Sequence, residues 1–364
     1  MGFNCGIVGL PNVGKSTLFN ALTATMAAES ANYPFCTIEP NKGRVLVPDP
    51  RLEAIAAIAS SAKVIPTQLA FVDIAGLVKG ASKGEGLGNQ FLANIRETDA
   101  ILHVLRCFDG EVTHSEGSVD PIRDAEIIET ELMLADLESC EKRVVSLEKR
   151  ARGNDKEAKE TLELLYPIVA ALREGQPARS VSFPDDKHAQ VQQLQLLTSK
   201  PVLYLCNVGE EDAASGNAYT QKVADFAAQQ GASFVLVSAE IESQISLLSP
   251  EEQREFLDEL GLKEPGLTRL IRAGYALLQL ITFFTCGPKE ARAWTVAAGA
   301  SAPQAAGVIH SDFERGFIRA ETIAYDDYIA CQGEQGAREA GKMRQEGKEY
   351  KVQDGDIFHF KFNV

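Results

Sequence analysis

Paired cysteines, long apolar runs and an excess of positive charge are all missing from this sequence. The seven cysteines are widely spaced and odd in number, which excludes a disulfide ladder or a cysteine-rich zinc knuckle. No apolar run reaches the roughly 18 residues that span a bilayer, and the first residues lack the pattern of a secretory leader. We therefore expect a soluble, unprocessed protein of the reducing cytoplasm, without a membrane partner.

The charge balance excludes another class of protein. Asp and Glu number 51 against 36 Lys and Arg, which gives a formal net charge of -15. Binding of nucleic acid by bulk electrostatics needs clustered cations, so any contact with RNA must be local. At 364 residues the chain exceeds one ordinary core, and two or three domains are expected.

Apolar runs that alternate with helical stretches indicate an α/β fold. Residues 4–8 are predicted to form a buried strand, residues 9–14 a turn and residues 15–24 a helix. Further predicted strands follow at 44–47, 69–74, 101–108, 202–206 and 234–237. This alternation is typical of a mostly parallel sheet.

Two regions depart from the alternation. Residues 122–151 are charged and favour a helix, and a second helical stretch follows Gly153 and Asn154, so an antiparallel helical hairpin is predicted. From about Leu280 the composition changes to short β-like runs, such as 293–296 and 357–362, with glycines between them. These runs indicate a small separate α+β domain.

The strongest motif lies between the first predicted strand and helix. Gly9-Leu10-Pro11-Asn12-Val13-Gly14-Lys15-Ser16 fits the phosphate-binding pattern G-x-x-x-x-G-K-[ST]. The backbone N–H groups of Asn12, Val13, Gly14, Lys15, Ser16 and Thr17 are expected to point at the phosphates, at the positive end of a helix dipole. Lys15 is the candidate catalytic cation, and the Ser16 hydroxyl is a candidate Mg²⁺ ligand.

Two further segments suit a nucleotide site. Asp73-Ile74-Ala75-Gly76 ends a predicted strand at the carboxyl edge of the sheet, where α/β proteins bind ligands. Asp73 is predicted to hold Mg²⁺ through water, and the Gly76 amide to meet the γ-phosphate during catalysis. Thr37 is a candidate for a second hydroxyl on the metal, from a segment that senses the γ-phosphate.

At these residues the chain resembles the YchF or Obg-like ATPase family. The resemblance extends over the whole length, through the phosphate-binding motif, residues 32–40, the Asp73-Ile-Ala-Gly-Leu-Val segment and the carboxyl-terminal residues 355–364. It implies an α/β, Ras-like P-loop nucleotide hydrolase core at 1–121 and 199–279. It also implies a helical coiled-coil insertion at 122–198 and a TGS domain, of β-grasp, ubiquitin-like type, at 280–364. Bacterial cytoplasmic location and ribosome association follow from the resemblance alone.

The purine can be inferred from one altered motif. In Ras-like proteins guanine is read by Asn-Lys-x-Asp, and the matching segment here is Asn207-Val208-Gly209-Glu210. The lysine is lost and the acidic side chain is one methylene longer, which would leave guanine donors unpartnered at a cost of roughly 1–3 kcal/mol each. Adenine offers different groups, which Asn207 and the backbone near Val208, Ser238 and Ala239 are predicted to satisfy. The family resemblance favours ATP, with GTP weaker, and a degenerate guanine site remains the alternative.

The residue that orients water is not evident from the motifs. Ras-like enzymes place a glutamine after the DxxG glycine, but this chain has Leu77. His114, in the polar segment that follows the strand at 101–108, is therefore a catalytic candidate. K⁺ held at Asn12 is a weaker candidate for the same task.

The partner prediction rests on the resemblance and on one basic cluster. The ribosome or its large subunit is the expected partner, with RNA contacted through the insertion or the TGS domain. Basic residues cluster near the predicted hairpin tip, at Lys142, Arg143, Lys149, Arg150 and Arg152, although such charges are commonly a solvated helix face. A ribosome-associated ATPase switch thus competes with a GTPase of the same architecture and with a nucleotide-binding scaffold whose hydrolysis is incidental.

Overall fold

A computed structural model describes residues 3–30, 41–74, 87–110 and 116–363. The strands are β1 (Asn4–Val8), β2 (Lys42–Leu46), β3 (Val64–Ile65), β4 (Gln68–Asp73), β5 (Ala100–Arg106), β6 (Val202–Asn207), β7 (Ser233–Val237), β8 (Leu280–Cys286), β9 (Ala291–Ala297), β10 (Phe317–Ile323), β11 (Arg344–Glu346) and β12 (Ile357–Phe362). The longer helices are α1 (Lys15–Ser30), α2 (Pro50–Ala59), α3 (Leu87–Arg96), α4 (Pro121–Arg152) and α5 (Lys156–Arg173). The remaining helices are α6 (His188–Gln193), α7 (Ala218–Gln229), α8 (Ala239–Ile245), α9 (Pro250–Glu259), α10 (Gly266–Leu277), α11 (Ala302–Ile309), α12 (Ser311–Arg315), α13 (Tyr325–Ala330) and α14 (Glu334–Glu339).

The first sheet carries the phosphate-binding motif. Its strand order is β2-β4-β1-β5-β6-β7, and the strands pair in parallel except for the antiparallel pair of β2 and β4. Every residue of β5 and β6 is buried, as expected for central strands covered by helices. The prediction of a mostly parallel sheet is therefore correct, and parallel strands bring β1, β4, β5 and β6 to one carboxyl edge.

The predicted helical hairpin is formed by α4 and α5. Asp120 caps α4 by accepting hydrogen bonds from Ile122 N and Arg123 N, both at 3.2 Å, and Asp155 caps α5 in the same way. Leu165, Ile168 and Cys140 are buried between the two helices. The first part of α4 packs in the main core, so the hairpin shares its base with the nucleotide-binding region.

The second sheet is built mainly from the carboxyl-terminal residues, in the order β11-β10-β12-β8-β9-β3. One segment from the amino-terminal part joins it, because β3 pairs in parallel with β9 and α2 packs on the same sheet through Leu52, Ile55 and Ala56. An ion pair of 2.7 Å between Arg51 and Asp354 adds to this contact. Residues 50–65 were expected in the nucleotide-binding region, whereas α2 and β3 contact the second sheet, which covers the apolar face of α2.

The division into domains at 121, 198 and 279 otherwise remains a prediction. The α/β class, the P-loop core and a distinct carboxyl-terminal sheet are confirmed. Within the described parts of the chain, none of the helices combines the length and apolarity needed to cross a bilayer.

Candidate nucleotide site

The phosphate-binding loop has a backbone shape that depends on its sequence. Asn12 and Gly14 adopt positive φ angles of 64° and 91°, a region that glycine enters without steric cost. A side chain at Gly14 would begin 2.1 Å from the Asn207 Nδ2 atom, and one at Gly9 would begin 2.9 Å from the Val104 carbonyl oxygen. The two glycines therefore let the loop lie close to β5 and β6, and α1 starts directly after it with Lys15.

Lys15 lies beside the end of β4. Its Nζ atom donates a hydrogen bond of 2.7 Å to the Ile74 carbonyl oxygen and lies 3.8 Å from Asp73 Oδ1. Burial lowers the pKa of Lys15, and the Asp73 carboxylate opposes this shift. The ammonium group is thus held at the mouth of the loop, where a phosphate would replace a carbonyl oxygen as its partner.

The oxygen donors here fit a divalent metal ion such as Mg²⁺. Asp73 Oδ1 is buried and accepts no hydrogen bond from the described residues, although a buried carboxylate oxygen ordinarily has a partner. Ser16 is exposed in the first turn of α1, on the same carboxyl edge of the sheet. Hydroxyl and carboxylate oxygens are the ligands that Mg²⁺ prefers, so Ser16 and Asp73 would hold the ion, which would neutralise charge on the phosphates.

Asn207 connects the phosphate loop with the predicted base loop. Its Nδ2 atom donates to the Val13 carbonyl oxygen at 2.9 Å, and its Oδ1 atom accepts from Ala239 N at 3.0 Å. Both amide atoms therefore have protein partners, and base contact by Asn207 stays a prediction. Ser238 caps α8, and its neighbour Ala239 is thereby fixed beside the loop.

A cavity of about 490 Å³ opens next to the phosphate loop. It is lined by Gly14, Thr17, Phe108, Asn207, Val208, Gly209, Ala239, Glu240, Ser243 and Gln244. Glu210, which is predicted to lie at the base, accepts a hydrogen bond of 2.8 Å from Gln244 Nε2. The structure thus brings Asn207, Val208 and Ala239 together with Thr17, while the Glu210 carboxylate is engaged by α8.

Sequence reasoning missed several residues that line this cavity, among them Phe108 and Gln244. Phe108 follows β5 at the carboxyl edge, and that position was the available signal. Gln244 gave no signal, because its contact with Glu210 bridges 34 positions of sequence. Thr37, Gly76, Leu77 and His114 lie outside the described residues, and their roles stay predictions.

Comparisons with known proteins agree with this geometry. Residues 4–150 match a family described as 50S ribosome-binding GTPase, and residues 280–363 match the YchF-GTPase carboxyl-terminal family, described as a protein of unknown function. The Haemophilus influenzae protein named ribosome-binding ATPase YchF is 59% identical over 100% of both chains. Its Bacillus subtilis namesake is 56% identical, again over 100% of both chains.

A solved structure gives the same result. The Schizosaccharomyces pombe YchF GTPase superposes with a TM-score of 0.89 at 40% identity, over 99% of this chain and 98% of that one. The match includes both sheets and the helical hairpin, since almost the whole chain is covered. The chain belongs to the YchF family.

Proposed function

We propose that this protein is a cytoplasmic, ribosome-associated enzyme that binds ATP with Mg²⁺, hydrolyses it slowly and accepts GTP as a weaker ligand. The observation that carries the purine preference is the pairing of Glu210 with Gln244. An acidic side chain that reads guanine must offer its oxygens to the N1 and N2 donors. The Glu210 carboxylate is turned toward α8 instead.

Val208 supports the same preference. The residue is 2% exposed and lines the cavity at the position where guanine-specific relatives of the fold carry lysine. An apolar wall accepts a purine face without selecting guanine. The names of relatives differ on this point, since the bacterial ones are called ATPases and the S. pombe one a GTPase.

The chemistry assigned to this chain is mainly charge neutralisation and positioning, as in other phosphoryl-transfer enzymes. Lys15 would balance the charge that develops on the γ-phosphate, while the loop amides would hold the α- and β-phosphates. Mg²⁺, held by Ser16 and Asp73 with Thr37, would screen the β- and γ-oxygens. His114, or K⁺ at Asn12, would orient the water that Leu77 cannot.

Contact with ribosomal RNA is proposed at the hairpin end. Lys149 and Arg152 are exposed in the last turn of α4, whereas Lys142 pairs with Glu138 and Arg150 with Asp155. Because Lys142 and Arg150 already pair with acidic side chains, fewer basic side chains are available for RNA at the hairpin end than the sequence suggests. A contact of this size suits a small phosphate patch and not a broad RNA surface.

Titration of the purified protein with fluorescent ATP and GTP analogues in Mg²⁺ tests the purine assignment. ATP is expected to bind more tightly, and tighter binding of GTP would replace the assignment with the GTPase alternative. Turnover with and without ribosomes tests the partner. Ribosome-stimulated hydrolysis is expected, while unchanged turnover and no co-sedimentation would favour the scaffold with incidental hydrolysis.

A further inference from the structure

The charged side chain of Arg106 lies inside the nucleotide-binding region. Arg106, the last residue of β5, is 1% exposed. Removing a guanidinium from water is costly unless its donors find new partners. An apolar side chain of similar volume would fill the space without that cost, so the contacts of this guanidinium are informative.

Three contacts of Arg106 lead to the segment that follows it. The Arg106 Nε atom donates to the Phe108 carbonyl oxygen at 3.1 Å, and Nη2 donates to the Gly110 carbonyl oxygen at 3.4 Å. The Cζ atom lies 4.6 Å from the centroid of the Phe108 ring, within the range of a cation–π contact. One side chain thus fixes both the ring and the backbone around it.

The Phe108 ring has a second neighbour. The residue is half-buried and lines the cavity together with Gly14, Thr17 and Val208. The ring therefore lies between Arg106 and the cavity. Flat aromatic rings stack on nucleobases with little dependence on the base, because every base has a π face.

Other bonds hold the same segment without touching the ring. Asn217 Nδ2 donates to the Cys107 carbonyl oxygen at 2.8 Å, Cys107 N donates to the Asn207 carbonyl oxygen at 2.8 Å, and the Tyr219 hydroxyl donates to Asp109 at 3.1 Å. These bonds hold the backbone before and after Phe108. Arg106, by contrast, contacts the ring itself.

We infer that Arg106 is a positioning residue that holds the Phe108 ring against the purine of the bound nucleotide. The inference rests on the proposed function only in treating the cavity as a nucleotide site. Because stacking does not depend on the choice of purine, the inference stands whether ATP or GTP binds better. It concerns the base alone, since a phenyl ring offers the phosphates no donor.

The experiment compares two ligands that differ by the nucleoside. Affinities for ATP and for inorganic tripolyphosphate, both with Mg²⁺, are measured by competition against a fluorescent nucleotide. Arg106→Met and Phe108→Leu are each expected to weaken ATP binding about tenfold and to leave tripolyphosphate binding unchanged. Arg272→Met is the matched control, because Arg272 is an exposed residue of α10 that pairs with Glu264 and does not line the cavity.

A double variant separates positioning from two independent effects. Arg106→Met combined with Phe108→Leu is expected to bind ATP no more weakly than the worse single variant, since both changes remove one stacked ring. Arg106→Lys keeps the charge but not the planar fork, so it should lose ATP affinity as well. Arg106→Lys also replaces Arg106→Met in the experiment if Arg106→Met does not fold.

Three results would overturn the inference. ATP affinity could be unchanged in the folded Arg106 variants. ATP and tripolyphosphate affinities could fall together, which would indicate a general disturbance of the loop. The two single losses could add in the double variant, which would indicate that Arg106 and Phe108 act separately. Tighter binding of GTP than ATP by the parent would contradict the proposed function and leave this inference intact.

Discussion

The phosphate side and the base side of the site are built in different ways. The predicted phosphate contacts come from six consecutive residues, Asn12 to Thr17. Asp73, which lies beside Lys15, is the main residue of this side that is distant in sequence. The predicted base side is assembled from Phe108, the segment 207–209 and helix α8, which are far apart in sequence. A contiguous site depends on local backbone shape, whereas a dispersed one depends on how strands and helices pack.

This comparison predicts that substitutions on the phosphate side will lower activity more than substitutions on the base side. Lys15→Ala should abolish measurable hydrolysis, because no second cation of the motif can balance charge on the γ-phosphate. Phosphate release from a folded variant is the measurement. Lys263→Ala, on an exposed lysine, is the control, and unchanged turnover of Lys15→Ala would remove the loop from the mechanism.

A second change tests catalysis apart from binding. His114→Ala is expected to lower kcat at least roughly tenfold with little change in the Kd for ATP, because water-positioning groups contribute 10²–10⁴-fold. The assay is run with and without ribosomes. Equal turnover of mutant and parent under both conditions would identify His114 as an ordinary histidine and direct attention to K⁺ at Asn12.

Ser16→Ala probes the metal. Loss of one oxygen ligand should raise the Mg²⁺ concentration needed for half-maximal nucleotide binding by about tenfold, while binding without Mg²⁺ stays the same. Ser215→Ala, an exposed hydroxyl outside the site, is the matched control. Superimposable Mg²⁺ titrations for Ser16→Ala and parent would contradict the assignment.

The smallest effect is expected on the base side. Val208→Lys with Glu210→Asp rebuilds Asn-Lys-x-Asp, and GTP affinity should rise relative to ATP by roughly fivefold, which corresponds to the net contribution of one typical hydrogen bond, about 1 kcal/mol. Adding Gln244→Ala should increase the gain, because Gln244 holds the acidic side chain at position 210 away from the base. A ratio that does not move in either variant would mean that this loop does not select the purine.

The fold was largely predictable because its signals are local. Strands 4–8 and 357–362 were predicted with the bounds that the structure shows, and the α4–α5 hairpin followed from helical periodicity and a Gly-Asn turn. The pairing of β3 with the second sheet and the packing of α2 on it were not predictable. The sequence of an amphipathic helix such as α2 shows that one face is apolar, but it does not show whether the first or the second sheet will cover that face.

The residues of the site were likewise predictable where a local motif marks them and not where long-range contacts decide their role. Lys15 and Asp73 were found through a motif, and the structure places them 3.8 Å apart. Gln244 and Arg106 were missed because their importance lies in contacts, and a buried arginine at a strand end has no sequence signature. The pairing of Glu210 with Gln244 likewise depends on where α8 lies, which the chain alone does not reveal.

The path of residues 50–65 has a consequence for dissecting this protein. A fragment ending at residue 279 would keep α2 and β3 but lose β8, β9 and β12, against which Leu52, Ile55 and Ala56 are buried. The orphaned helix would expose an apolar face, and such faces promote aggregation. A protein truncated at residue 279 is therefore expected to aggregate. Point substitutions in the full chain are the better way to separate the roles of the two sheets.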